Sequence, residues 1–253
     1  MRTIRLLIGF IGTRYEGWQS QKKGPSTDSG LPNTVQEIFE KYLKKILKED
    51  TGLISSSRTD SGVHALGLVA HFKTNSNLPD FKIKEALNFY LPRDIVVQTA
   101  KTMPRIFHAR YDAKSKLYCY KIWNQPTRPL FEDPFVLWQS QALDLKAMRK
   151  AALFLKGKHD FASFQGAGGD EPKTTIRTIK KINLTKKTGL IRIEIEGDGF
   201  LRHMVRVIVG TLIEIGRKKI KPGAMKNILA AKDRKQAGPT AKARGLTLVK
   251  VKY

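Results

Sequence analysis

Cysteine is almost missing from this chain: Cys119 stands alone, so neither an internal disulfide nor a cysteine-based zinc cluster can form. That usage suits a reducing, cytoplasmic setting. Histidine is sparse as well. The five histidines are scattered without HExxH or any comparable ligand spacing, so metal catalysis is not expected. No apolar run reaches the roughly 20 residues of a membrane span, and no membrane partner is expected. The N-terminus, MRTIRLLIGFIGTRYEGWQ, has a short apolar stretch but no small-residue cleavage site, and it reads as a first strand rather than a signal peptide. Acidic residues are scarce too: 22 Asp and Glu stand against 47 Lys and Arg, for a formal net charge of +25.

That imbalance is the sharpest compositional fact. A surface so positive attracts polyanions, above all nucleic acid, through phosphate neutralisation and counterion release. Adsorption to acidic lipid would call for an amphipathic basic helix beside an anchor, which the sequence does not offer. Hydrophobic residues make up 41% of the 253, enough for a packed core and too many for a disordered chain. The length suits two modest domains or one large one.

The patterning mixes strands and helices. After the first strand comes KKGPSTDSGLPN, residues 22–33, an extended loop rich in turn formers. A helix then starts at Thr34, where Thr34 and Glu37 make a capping box. Its apolar positions, Val35, Ile38, Phe39, Tyr42, Leu43, Ile46 and Leu47, recur at helical spacing. Leu53–Ile54 and Leu66–Phe72 read as strands, KIKEALNFYL as a helix closed by Pro92, and DIVVQTA as another strand. In the second half, KLYCYKIW alternates as a strand, and a helix runs from an Asp144 N-cap, with Gly157 past its C-terminus. TTIRTIKKINLT and LIRIEIEG form a hairpin across Lys-Thr-Gly, with Ile191, Ile193 and Ile195 facing inward. FLRHMVRVIVGTLIEIG is a helix and TLVKVKY a closing strand. The pattern predicts an α+β protein with mainly antiparallel sheets, in two domains divided at about residues 104–112.

TDSG occurs twice, at Thr27–Gly30 and Thr59–Gly62, and Asp-Ser-Gly suggests an aspartic protease. A protease dyad needs two equivalent loops, each following an apolar strand. Asp28 lies in GPSTDSGLP with no such strand, so it reads as a surface turn. Asp60 lies between two strands, with Gly62 freeing the backbone and Arg58 two residues away on the same side of an extended chain. A nearby guanidinium favours an ionised carboxylate, which suits a nucleophile. A structural Asp–Arg pair in a turn fits the local sequence equally. Arg202 and Arg206, one helical turn apart, are read as sharing a face opposite an apolar stripe, where they meet phosphates, a carboxylate or solvent. Tyr118 and Tyr120 share one strand face, as core residues or as residues of a nucleobase pocket that stack on the ring or move a proton.

Taken together, RYEGWQSQ, TVQEIFE, SRTDSGVHALGLVAHF, FHARYDAKSKLYCYKI, GKHDFASF, TTIRTI, GDGFLRHMVRVIVGTL and AGPTAKARGLTLVKVKY resemble, in order, the motif blocks of the tRNA pseudouridine synthase A family. The resemblance implies an isomerase acting on uridines of the tRNA anticodon stem-loop, at positions 38–40. It further implies two RRM-like α/β domains with mainly antiparallel sheets flanking a basic cleft. Residues 1–105 would carry the catalytic loop and 106–253 would complete the site. A homodimer, tRNA as partner, and no metal or organic cofactor are implied as well. Asp60 would be the nucleophile. Arg58 would displace the base from the stack, and Tyr118 would line the pocket and share in the final proton removal. Arg206 would pair with Asp60, and Leu246 would pack beneath the base. His64, Arg110 and Arg202 would be further RNA contacts. Ser57, Ser61 and Lys242 depart from the family's usual Gly, Ala or Lys, and Pro, and the loop before Thr34 is longer than usual. A non-catalytic RNA-binding or RNA-chaperone protein would share the charge and the α+β pattern. On either reading, affinity for tRNA should fall steeply as salt rises, linearly in a plot of log affinity against log concentration. Filter binding across a salt series checks this, and a flat response would contradict a phosphate-led interface.

Overall fold

Alternating apolar side chains in RTIRLLIGF build the first strand, β1 (Arg2–Phe10), which buries Ile4, Leu6 and Ile8 completely. The computed structural model describes residues 1–20, 34–168 and 172–253. The turn expected at Asp28 and the loop at 22–33 lie outside the described residues. Further elements are α1 (Val35–Leu47), β2 (Ile54–Ser55), β3 (His64–Thr74), α2 (Asp80–Tyr90), β4 (Ile95–Met103) and β5 (Ser115–Trp123). They are followed by β6 (Leu137–Trp138), α3 (Leu145–Leu153), β7 (Gly157–Asp160), β8 (Ile176–Lys187), β9 (Leu190–Gly197), α4 (Met204–Gly216), α5 (Ala224–Ala231) and β10 (Leu246–Lys252). The fold is mixed α/β with mainly antiparallel pairing: β1–β3, β1–β4, β5–β9, β7–β8 and β8–β9 are antiparallel, and β5–β6 is parallel.

The chain divides into two compact units, Met1–Lys114 with Leu248–Tyr253, and Ser115–Thr247. In the first, strands run in the order β4-β1-β3-β10, with β2 beside β3. The last strand in sequence, from Leu248 on, therefore belongs with the first unit. Helix α1 starts as expected: Thr34 and Glu37 form the reciprocal capping box. Its first two N–H groups are also taken, by the carbonyls of Gly17 (3.2 Å) and Trp18 (2.9 Å). Val35, Ile38, Phe39 and Leu43 of α1 and Ile83 and Leu87 of α2 are fully buried. Each such apolar side chain contributes about 1.5–3 kcal/mol by leaving water.

The second unit orders its strands β5-β9-β8-β7, with β6 beside β5. The hairpin β8–β9 turns on Thr188 and Gly189, both at positive φ (47° and 81°), the conformation a two-residue hairpin loop needs. Ile191, Ile193 and Ile195 are wholly buried, as their alternation predicts. Asp144 caps α3 by accepting the Ala147 N–H at 2.9 Å, but the helix ends at Leu153, short of Gly157. Gly157, with φ +109°, turns the chain into β7 instead. Among the described residues no helix is long and apolar enough to cross a membrane.

One buried polar residue ties the segment after β4 to the first sheet. His71 of β3 is 2% exposed, and its Nδ1 accepts the Ala109 N–H at 3.1 Å. Burial, helped by the positive fields of His108 and Lys73, pushes its pKa from 6.5 down to about 4. The unfolded chain thus binds a proton that the folded chain refuses. The stability from His71 is complete above about pH 6.5 and declines as pH falls toward 4. Side-chain nitrogen NMR should find the His71 ring neutral at pH 5, and the unfolding free energy should fall across that window. A ring already protonated at pH 6 would contradict the buried neutral tautomer.

Candidate active site

Asp60 lies in the connection between β2 and β3. Because β3 pairs antiparallel with β1, and Phe10 faces Ala65, the segment leaving β1 and the segment entering β3 end side by side. Backbone hydrogen bonds lace them. The Trp18 N–H donates to the Thr59 carbonyl at 3.1 Å, the Gly62 N–H to the Tyr15 carbonyl at 3.3 Å, and the Val63 N–H closes a turn on the Asp60 carbonyl at 3.1 Å. Ser61 Oγ donates to the Tyr15 carbonyl as well, at 3.2 Å. His64 is buried, and its Nδ1 accepts the Gly12 N–H at 3.0 Å, so it braces the loop from within.

Two glycines make this approach possible. A Cβ on Gly12 would stand 2.0 Å from the Val63 carbonyl oxygen. One on Gly17, whose φ is +103°, would stand 2.6 Å from the Thr59 carbonyl oxygen. The side chains alternate outward from this fixed backbone: Arg58 is exposed, Thr59 buried and Asp60 half-buried. Ser57 Oγ and Thr59 Oγ1 are buried with no hydrogen-bond partner among the described residues. The contacts around the loop must therefore offset that loss. Arg110 is exposed in the turn after β4, and its N–H donates to His108 Nδ1 at 3.2 Å.

Tyr118, Arg202, Arg206 and Leu246 belong to the second unit. Helix α4 is apolar on nearly every side, and only Arg206 and Glu214 are less than fully buried. Arg206 is held by the segment before β10: its Nε donates to the Ala241 carbonyl at 2.8 Å, and the Ala241 N–H returns to the Arg206 carbonyl at 3.1 Å. Gly210 and Gly238 permit that packing, since a Cβ on Gly210 would fall 1.7 Å from the Pro239 carbonyl oxygen. The expected shared face of Arg202 and Arg206 is not found. The helix begins only at Met204, because His203 adopts a left-handed φ of +58°. Arg202 is exposed in the turn ahead of it. Phe200, also ahead of the helix, is half-buried and meets Tyr118 edge-on, with ring centroids 5.2 Å apart.

On β5, Tyr118 and Tyr120 are both buried. The Tyr120 hydroxyl donates to the Lys242 carbonyl at 2.7 Å, and a Cβ on Gly245 would lie 2.7 Å from the Tyr120 ring. Burial pushes the Tyr120 hydroxyl pKa upward. Tyr120 thus seats the segment that ends in Leu246, which is 5% exposed. An ion pair from Arg244 to Asp133, at 3.2 Å, fixes the same segment. Among the described residues no group of three or more His, Cys, Asp or Glu side chains could hold a metal ion. Sequence reasoning gave no individual role to Gly12, Tyr15 or Gly17, and read Tyr120 only as a core residue or a partner in a nucleobase pocket. RYEGWQ, with a glycine beside two aromatics and an exposed Arg, was the available signal.

A family model described as tRNA pseudouridine synthase matches residues 7–112 and 151–253. Over 253 residues, the chain is 45% identical to the tRNA pseudouridine synthase A 2 of Clostridium perfringens and to the tRNA pseudouridine synthase A of a Thermoanaerobacter species, covering all of both chains. It is 44% identical over 254 aligned positions to the tRNA pseudouridine synthase A of Ruminiclostridium cellulolyticum, again end to end. The chain belongs to the tRNA pseudouridine synthase family, isomerases that convert uridine to pseudouridine in tRNA. Gly17→Ala should lower both the melting temperature and the rate of pseudouridine formation, the latter by at least about tenfold, because the new methyl drives the Thr59 carbonyl and its loop aside. Gly52→Ala, where a Cβ meets nothing, is the matched control. Equal behaviour of the two variants would contradict a tightly seated loop.

Proposed function

We propose that this chain isomerises uridines in the anticodon stem-loop of tRNA, at positions 38–40, with Asp60 as the nucleophile. The observation that carries this reading is the seat of Asp60. The loop backbone is pinned by Trp18, Tyr15 and His64, while the Asp60 side chain is half-exposed beside an exposed Arg58. A carboxylate held in one place but open to a ligand is what nucleophilic catalysis requires.

The reaction breaks the bond between ribose C1′ and uracil N1, rotates the base, and joins C1′ to C5. The C5 proton then leaves and N1 gains one, so the product has the composition of the substrate. The target base must first leave the helical stack, at a cost of a few kcal/mol. Arg58 fits that displacement, and phosphate contacts from a protein of formal charge +25 offset its cost. Tyr118 lines the pocket and shares in the C5 proton removal, Arg206 pairs with the Asp60 carboxylate, and Leu246 packs beneath the base. Arg110 and Arg202, both exposed, serve as RNA contacts. His64 contributes through the loop it braces.

In this reading residues 1–105 carry the nucleophile and residues 106–253 complete the pocket. The two halves are RRM-like, flank a basic cleft, and work in a cytoplasmic homodimer. The charge of the chain and its full-length likeness to the tRNA pseudouridine synthases A support the proposal. Incubation with unmodified tRNA transcripts, followed by carbodiimide mapping, tests it. Wild-type protein should mark positions 38–40, and Asp60→Asn should abolish the product while tRNA binding persists. Full activity in that variant would remove Asp60 from the chemistry.

A further inference from the structure

We propose that Asp94 is a positioning residue for Asp60 and acts through Tyr15. The inference rests on the reading of Asp60 as nucleophile and extends it to a group that touches no substrate. The Tyr15 carbonyl accepts from both residues that follow Asp60, from Ser61 Oγ at 3.2 Å and from the Gly62 N–H at 3.3 Å. Wherever that carbonyl goes, the Asp60 turn goes with it.

The carbonyl is itself held from two sides. The Tyr15 N–H donates to the Gly12 carbonyl at 3.0 Å, closing the short helical turn Gly12–Arg14 that follows β1. The Tyr15 side chain is 6% exposed, and its hydroxyl donates to Asp94 Oδ1. The second carboxylate oxygen of Asp94 lies 3.6 Å from the Arg14 guanidinium, and the Asp94 carbonyl accepts the Ile11 N–H at 2.9 Å. Asp94, on the turn entering β4, therefore grips residues 11, 14 and 15 together. A phenylalanine at position 15 would fill the same space. The hydroxyl adds direction, because a charge-assisted hydrogen bond fixes the ring and hence the backbone that bears it. Burial and the Asp94 partner both push the Tyr15 hydroxyl pKa upward, so it stays a donor throughout the working range.

The alternative is a pair that merely stabilises the fold. A positioning role affects the chemical step: a displacement of about 1 Å at a reacting group costs on the order of 100-fold in rate. Tyr15→Phe, Asp94→Ala, Asp94→Asn and the Tyr15→Phe/Asp94→Ala double variant are measured on unmodified tRNA transcript, with Asp60→Asn alongside. Tyr15→Phe and Asp94→Ala should each lower kcat by about 10- to 100-fold, with KM and tRNA affinity within about twofold of wild type. Asp94→Asn, which keeps an acceptor oxygen, should recover most of the rate. The double variant should be no slower than the worse single one, since both cut the same link. Wild-type kcat in Tyr15→Phe overturns the proposal. So does a loss that follows melting temperature or KM and is not relieved by Asp94→Asn. If Asp94→Ala does not fold, Tyr15→Phe decides, because its ring packing is kept. An inactive Asp60→Asn with fully active Tyr15 and Asp94 variants refutes the positioning role alone. An active Asp60→Asn refutes the nucleophile and this proposal with it.

Discussion

Backbone is pressed against backbone where the chain leaving β1 meets the chain entering β3, and the seat of the Asp60 loop in the first unit depends on that contact. Gly12 sits against Val63 and Gly17 against Thr59 at separations no side chain would permit. The same turn meets α1 on its other side. The carbonyls of Gly17 and Trp18 accept the first N–H groups of that helix, and the Trp18 ring, 1% exposed, packs between Phe10 and Phe39. The turn is thus clamped between a helix N-terminus, an aromatic core and the Asp60 loop. A loop of this kind, joining two strands, would ordinarily be among the more mobile parts of a domain. In this fold it inherits the rigidity of the sheet and of the first helix.

The second unit solves a related problem by similar means. Arg206 is a charged residue on a helix whose other faces are apolar and buried. Such a cation needs fixed acceptors. The segment from Gly238 to Leu246 supplies one in the Ala241 carbonyl, and comes close enough because Gly210 and Gly238 bear no side chains. Tyr120 and the Arg244–Asp133 pair hold that segment down. In both units glycine brings a loop carrying candidate site residues onto a regular element, and short polar links then fix its register.

Much of this architecture was legible beforehand. The capping box at Thr34, the buried stripe of α1, the inward isoleucines of β9 and the β8–β9 hairpin all came from periodicity and turn chemistry, which depend on near neighbours in sequence. The motif around Asp60 was legible as well, through its resemblance to a known family. The start of α4 was not. Apolar spacing continues through Phe200 and Leu201, yet His203 takes a left-handed conformation that delays the helix start to Met204 and separates Arg202 from Arg206. That choice is made by tertiary packing, with the His203 ring against Gly166, and no local propensity reports it.

By itself the sequence determined the longer strands and helices, the basic charge and the residue types available for chemistry, since these are properties of composition and short-range pattern. Only the tertiary structure decided that the last strand joins the first unit, that His64 braces a loop rather than facing outward, and that Tyr15 and Asp94 stand behind Asp60. Those facts follow from which distant segments meet. Such meetings are set by the antiparallel register of β1 with β3 and by glycines whose missing side chains matter only once a partner backbone arrives.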